Sequence, residues 1–298
     1  MSDWQYQCIT SPIGIFMITC GLYGVKNMPF HAQNISNKMS VELGYTSAFM
    51  DDSISKYPIE WSAEQLVEQE RKRLDYCIEH GMLINPEKYF PFVTECVTMG
   101  IKRTLHTNTP SDAYKNKIIT FPLPKTAKQL KSFIGVVGYI SRYIYKCSHL
   151  RYYLNYIGKN GCKRGTIQWD QYPECKLAFY QLQYLVQNAP LLYNPRKDGK
   201  YMIKTDASMN AIGAVLYQWQ YASEFKKEVW RMIDMFSMIM PKGLRTAHAM
   251  VHEAKAIVSA CQRWIFHLLK QPFDVYTDNV ATIKFFNPEK VLEYPVTT

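Results

Sequence analysis

The sequence predicts a mixed fold, α+β or α/β, divided among several domains in which helices pack on short sheets. Three observations carry that prediction. The 298 residues give length for about two domains, and 47% hydrophobic with 14% aromatic residues can fill their cores. Segments of strand-like composition alternate with segments whose apolar residues recur at helical spacing. Charge is uneven: residues 1–100 hold 7 basic and 12 acidic side chains, 101–200 hold 17 and 4, and 201–298 hold 11 and 9. A net charge of +10 concentrated in the middle third suits a polyanionic partner.

In chain order, "IGIFMITCGLYGV" (13–25) and residues 45–50 are rich in Ile, Phe and Tyr and read as strands. "AFMDDSIS" (48–55) sets Asp51 and Asp52 side by side among apolar residues. Such a pair reads as a turn, a helix cap or half of a metal site, because adjacent carboxylates repel unless something compensates them. After Pro58, Leu66, Val67, Leu74, Cys77 and Ile78 recur at helical spacing between a Ser62 N-cap and a Gly81 stop. Residues 80–101 return to short extended pieces, "NTPSDAYKNK" (108–117) reads as a loop, and a boundary falls near residue 101.

The basic middle third opens with a capping box, Thr126 to Gln129, followed by the apolar stripe Leu130, Phe133, Ile134, Val137, Ile140 and Ile144. Lys125, Lys128, Lys131, Arg142, Lys146 and Arg151 flank it, and tyrosines 139, 143, 145, 152, 153 and 156 interleave with the last three. Cations mixed with aromatics suit phosphate contact; a solvated basic helix over core tyrosines is the plainer alternative. "KNGCKRG" (159–165) reads as a loop, 173–187 as a further helix, and Pro190 and Pro195 frame a linker.

From Tyr201 the order is strand, turn, strand, long helix, strand. "YMIKTDAS" puts Met202, Lys204 and Asp206 on one face, and 211–218 can pair back across "SMN". A helix from about Ala247 to Leu269 carries the seam Met250, Ala254, Ile257, Cys261, Trp264 and Leu268, with Glu253 at its edge. "PFDVYTDN" is an apolar strand ending in Asp278, as the earlier one ends in Asp206. Strand ends and a helix edge can bring Asp206, Glu253 and Asp278 together, a set of oxygen donors suited to Mg²⁺ that would repel without a cation.

Other classes are disfavoured. The eight cysteines show no metal-ligand spacing, which argues for scattered thiols in a reducing compartment and against structural zinc. No apolar run reaches the roughly 18–20 residues of a membrane span, and "MSDWQYQ" lacks a signal peptide's features, so an intracellular protein is expected.

These residues, taken together, resemble the reverse transcriptase and RNase H portion of the Pol polyprotein of LTR retrotransposons, most closely the gypsy-like (Metaviridae) group. "NMPF" (27–30) is similar to the family's M-P-F-G motif, "FMDD" (49–52) to its aromatic-x-D-D motif, and 80–101 to the stretch leading to its primer-contacting segment. "PLPKTAKQLKSFIGVVGYISRYI" (122–144) resembles its thumb signature, and 167–195 its connecting helix. "TDASMNAIGAVLYQ" (205–218), "HEAKAIVSACQRWIFHLL" (252–269) and "VYTDN" (275–279) are similar to the first three catalytic segments of its RNase H domain.

The resemblance implies a partial palm over 1–101, a basic helical thumb and connection over 102–192, and a C-terminally truncated RNase H-like domain over 193–298. It implies that Asp51 and Asp52 bind a nucleotide's Mg²⁺ at a hairpin tip. Asp206, Glu253 and Asp278 would be metal ligands, with Mg²⁺ or Mn²⁺ as cofactor, for cutting RNA in an RNA/DNA hybrid. The thumb would grip hybrid or primer-template by its backbone. Protease and integrase segments would be further parts of the parent polyprotein, in a cytoplasmic particle or the nucleus.

Departures accompany the match. The family's palm has a third acid upstream of its M-P-F motif, for which Asp3 is a poor substitute; polymerase activity is therefore not expected of this chain alone. His31 replaces a glycine, and "AQNIS" (32–36) departs from L-K-N-A-P. Asp274, Glu289 and Glu293 do not match the fourth RNase H acid. Two readings stay open: an enzyme that nicks hybrids, or a non-catalytic, co-opted nucleic-acid-binding relic.

Overall fold

The computed structural model describes residues 8–17, 24, 26–269 and 271–286, and the chain divides into two compact units, Met1–Thr94 and Glu95–Thr298. Asp3, Glu289, Glu293 and much of the strand expected over 13–25 lie outside the described residues. Among the described residues, no helix is long and apolar enough to cross a membrane.

In the first unit, Cys8–Ser11 (β1) and Gly14–Met17 (β2) pair as a hairpin. Helix Met28–Leu43 (α1) follows, then Thr46–Phe49 (β3) and Asp52–Ser55 (β4), a second antiparallel hairpin whose register runs from Thr46↔Ser55 to Phe49↔Asp52. Helix Ala63–Glu79 (α2) begins at a full capping box: Gln65 N donates to Ser62 Oγ at 3.3 Å and Ser62 N donates to Gln65 Oε1 at 2.9 Å. Such a cap is worth about 1 kcal/mol.

The apolar stripe that its sequence suggests forms only part of the buried face of α2: Cys77 is buried and Leu66 and Leu74 are half-buried. Val67 and Ile78 are exposed, while Glu70, Arg73, Tyr76 and Cys77 are buried. Hydroxyls of Tyr57 and Tyr89 donate to Glu70 at 2.9 and 2.6 Å, and Arg73 Nε donates to it at 2.8 Å. Full hydrogen bonding is what makes a buried charged pair tolerable, and hydropathy alone hides it. The apolar cluster beside it is small: Met39, Tyr76 and Cys77.

The second unit opens with Glu95–Thr98 (β5), Ile101–Thr104 (β6) and Thr107–Pro110 (β7). Residues 108–117, expected as a loop, instead finish β7 and enter helix Asp112–Ile119 (α3). Ser111 decides this: its Oγ accepts from Tyr114 N at 3.3 Å and caps the helix, a local signal that the polar composition masked. Helices Ala127–Tyr139 (α4) and Cys147–Asn160 (α5) follow, then the short strands Cys162–Lys163 (β8) and Thr166–Ile167 (β9), helix Pro173–Gln187 (α6) and strand Leu192–Tyr193 (β10). The expected 126–129 capping box is present. The sheet order is β10-β7-β6-β5. Phe133 and Val137 of α4, Leu154 and Ile157 of α5, and Phe179 and Leu182 of α6 share one core, with Phe133 and Phe179 ring centroids 4.5 Å apart.

Next come Tyr201–Ala207 (β11), Ala211–Ala222 (β12), Lys227–Ile239 (β13), Ala249–Arg263 (α7), Ile265–Leu268 (α8), Phe273–Tyr276 (β14) and Val280–Phe286 (α9). The sheet order is β13-β12-β11-β14, antiparallel except for β14, which runs parallel to β11. β11 and β12 pair as expected, although β13 has no counterpart in the sequence reading. Arg231 and Asp234 interrupt its apolar pattern, and a register shift at Leu216/Tyr217 breaks its alternation against β12.

The long helix expected to Leu269 breaks at Trp264, and its buried face is turned by about one position. His252, Glu253, Ala256, Ile257 and Ala260 face inward, so Glu253 is buried rather than at an edge. Polar partners account for the turn: His252 Nε2 lies 2.7 Å from the Leu244 carbonyl oxygen, and Glu253 accepts two hydrogen bonds.

Candidate functional site

Asp51 and Asp52 lie at the tip of the β3–β4 hairpin, both exposed. The turn needs Met50 in the left-handed region, φ 54°, a conformation costly for a residue with a side chain. Helix α1 secures it: Met50 N donates to Gln33 Oε1 at 2.8 Å, Gln33 Nε2 donates to the Ala48 oxygen at 3.1 Å, and Ser36 Oγ donates to the Met50 oxygen at 2.5 Å. Gln33 and Ser36 belong to the "AQNIS" stretch that departs from the family pattern, so the departure has a use in holding the acid-bearing turn. His31 sits exposed in the first turn of α1. Neither aspartate side chain has an ion pair or hydrogen bond among the described residues.

The other three acids are organised by the parallel pairing of β11 with β14. Lys204 stands opposite Tyr276, the last residue of β14; Asp206 follows within β11 and Asp278 two residues beyond the end of β14. Glu253 enters from α7. Its Oε1 accepts from Ala207 N at 3.0 Å and its Oε2 from Thr277 Oγ1 at 3.1 Å, tying the helix to the residue after Asp206 and to the residue before Asp278. Burial pushes the Glu253 carboxyl above its usual range; negative charge from Asp278 and Asp206 adds to the rise, against the two hydrogen bonds. Asn279 Oδ1, accepting from Thr282 N at 2.9 Å, fixes the turn beyond Asp278.

In kind, these oxygen donors fit a hard divalent cation. In arrangement, no group of three acid, His or Cys side chains among the described residues stands close enough to hold one. The Asp206 carboxylate is turned to another cation: Oδ2 lies 3.2 Å from Lys146 Nζ and 3.3 Å from the Tyr145 hydroxyl, which donates to it. Lys146 has φ 52° at the entry to α5, and its ammonium also lies 5.3 Å from the Tyr145 ring centroid.

The six basic residues singled out from sequence divide into two groups. Lys125 is exposed just before the Thr126 cap of α4, and Lys128 and Lys131 are exposed in the first turns of that helix. The other three are engaged within the unit. Arg142 Nε lies 3.2 Å from Asp234 Oδ1, Lys146 is on Asp206, and the Arg151 guanidinium packs close to Gly138. Thr277, Tyr145 and Asp234 were not legible as site residues. Each acts through a partner far away in sequence, and only the "VYTDN" match brought Thr277 near a motif at all.

Residues 171–275 match the family described as the RNase H-like domain found in reverse transcriptase. The chain is similar to the transposon Tf2-3 and Tf2-4 polyproteins of Schizosaccharomyces pombe, 24% identical over 272 residues, 90% of this chain. It spans 19% of the length of these relatives. Its fold is similar to that of the foamy viral protease-reverse transcriptase in complex with dsDNA, with TM-score 0.75 and 15% identity over 99% of this chain and 59% of that one. In complex with RNA/DNA hybrid, the values are TM-score 0.72 and 16% identity over 94% and 36%. The resemblance to retrotransposon Pol polyproteins carried by the motifs is thus present along most of the chain, and the mixed α and β fold is similar to that of the foamy viral protease-reverse transcriptase.

Proposed function

We propose that this chain is a retroelement Pol segment that grips an RNA/DNA hybrid and cuts its RNA strand at Asp206, Glu253 and Asp278. The observation that carries this reading is the Glu253 carboxylate, buried and shared between the Ala207 amide, one residue after Asp206, and the Thr277 hydroxyl, one residue before Asp278. Evolutionary packing has no need of an acid there, since a buried carboxylate near two others costs stability. Mg²⁺, or Mn²⁺ in its place, would be held by Asp206, Glu253 and Asp278 and would supply an activated water and charge stabilisation at the phosphodiester.

The chain's own residues have separate tasks. Thr277 and the Ala207 amide orient Glu253, and Lys125, Lys128 and Lys131 hold backbone phosphates without reading sequence. Asp51 and Asp52 would be metal ligands of a palm, within a division into palm (1–101), thumb and connection (102–192) and RNase H-like part (193–298). Protease and integrase would be segments of its parent polyprotein.

Incubation of the chain with labelled RNA/DNA hybrid and Mg²⁺ tests the reading: cleavage should exceed that of Asp206→Asn. Equal cleavage would remove the catalytic claim. A second reading, hybrid binding without chemistry, is favoured by one observation, the Lys146 ammonium on Asp206. It expects salt-sensitive hybrid binding in both the parent chain and the Asp206→Asn variant, with cleavage in neither.

A further inference from the structure

Asp234 of β13 is a carboxylate hub. It is buried, and it accepts from Trp264 Nε1 at 3.0 Å and Met235 N at 2.9 Å, so its position is fixed from beneath. Two guanidinium groups meet on it: Arg142 Nε at 3.2 Å from Oδ1 and Arg263 Nε at 3.9 Å from Oδ2. Both contacts use the Nε edge. Each guanidinium also lies over an aromatic ring, Arg142 at 5.7 Å from the Tyr143 centroid and Arg263 at 5.6 Å from that of Phe236. Two arginines are thereby held side by side before any ligand arrives.

Arg142, Arg263, Lys255, Ser141 and Ser259 line a cavity of about 470 Å³ with Met235 and its neighbours on β13 forming an apolar wall. None of Asp206, Glu253 and Asp278 lines it. No carboxylate among the described residues pairs with Lys255, so three cations face one anion. Ser259 is buried, and its hydroxyl has no hydrogen-bond partner among the described residues. A link between the connection segment and the RNase H-like sheet would explain Arg142 and Asp234. It would not explain Lys255, the unpartnered Ser259 hydroxyl or the open volume.

We infer that this cavity binds a phosphate-bearing anion of about nucleotide size, at a site apart from the three acids. Two guanidinium groups with their Nη edges left over form the fork that suits phosphate oxygens, an ammonium adds charge, and a serine hydroxyl adds a donor. The volume lies in the usual range for small-ligand sites. The same phosphate chemistry can come from a free nucleotide or from the backbone of a nucleic-acid strand.

Calorimetric titration of the full chain with tripolyphosphate, ATP and an oligothymidylate separates these sources. Saturable binding of the first two indicates a free anion; saturable binding of the oligonucleotide alone indicates a backbone phosphate. In either case Lys255→Gln and Arg263→Lys should each weaken binding by about tenfold, because one loses a charge and the other the fork. Lys227→Gln, which neutralises an exposed cation away from the cavity, should leave it unchanged, and circular dichroism of each variant checks the fold. No saturable binding of any of the three anions, or equal binding by all variants, overturns the inference. Hybrid cleavage is not a readout here, so failure of the proposed nuclease activity leaves this result standing.

Discussion

Lys146 Nζ stands 3.2 Å from Asp206 Oδ2, and the neighbouring Tyr145 hydroxyl donates to the same oxygen at 3.3 Å. The entry to α5 thus sets a cation against the strand end that carries Asp206. Side-chain exposure of 52% on both partners keeps the ion pair weak, so it competes with an added cation rather than blocking it. Lys146→Gln should therefore tighten divalent-ion binding by about two- to fivefold, the equivalent of an exposed pair of up to about 1 kcal/mol. Mn²⁺ titration followed by electron paramagnetic resonance measures this; unchanged or weaker affinity would contradict it.

Glu253 gives a pH signature. Its carboxyl is raised by burial and by Asp278 and Asp206, so the native state keeps a proton that the unfolded chain releases. Its stabilising contribution is complete below the unfolded value and is lost as pH rises through the native one. Glu253→Gln retains an acceptor for Ala207 N and an amide beside Thr277. It should melt higher than the parent chain at pH 8, with the gap narrowing towards pH 4, as followed by thermal denaturation.

Glu70 behaves in the opposite sense. Burial pushes its carboxyl up, but hydrogen bonds from Arg73, Tyr89 and Tyr57 outweigh that and the net direction is down. Its stabilisation is present above the unfolded value and is lost as pH falls through the native one. Glu70→Ala leaves Arg73 buried without its partner and should cost about 3 kcal/mol. Hydrogen exchange of the α2 amides in the full chain reads the loss.

Gly100 closes the β5–β6 hairpin at φ +74°, where a Cβ would stand 2.5 Å from Tyr114 Cδ2. Gly100→Ala should destabilise the second unit by about 1–3 kcal/mol through backbone strain, with a further cost from displacing the ring. A fall in melting temperature without change in the first unit's exchange rates is the expected result.

The exposed lysines at and just before the start of α4 test phosphate contact. Changing Lys125, Lys128 and Lys131 together to Gln should lower hybrid affinity and reduce the slope of log affinity against log salt by about 2 to 3, close to one per lost contact. Fluorescence anisotropy with a labelled hybrid at several salt concentrations measures it; an unchanged slope would mean that these lysines do not meet phosphates.

Local chemistry made much of the architecture legible. The N-cap at Ser62, the capping box at Thr126, the stop at Gly81, the 45–50 strand and the β11–β12 pairing all depend on neighbours a few residues apart, which a sequence displays directly. The α3 cap at Ser111 was equally local and was concealed by surrounding polar residues. Strand β13 was concealed for a different reason: its interior charges find partners far away, Asp234 on Trp264 and Arg142, and Arg231 on Tyr193.

The sequence by itself determined which acids and cations the chain carries, the order of the segments that bear them, and the likeness to retrotransposon Pol. Only the tertiary structure decided how they are used. It turned α7 so that Glu253 is buried between Ala207 and Thr277, paired β14 in parallel with β11 up to Lys204 and Tyr276, and gave Lys146 to Asp206 and Arg142 to Asp234. The physical reason is that burial of a charged group is settled by whether distant partners satisfy it, and hydropathy along a chain carries no record of those partners.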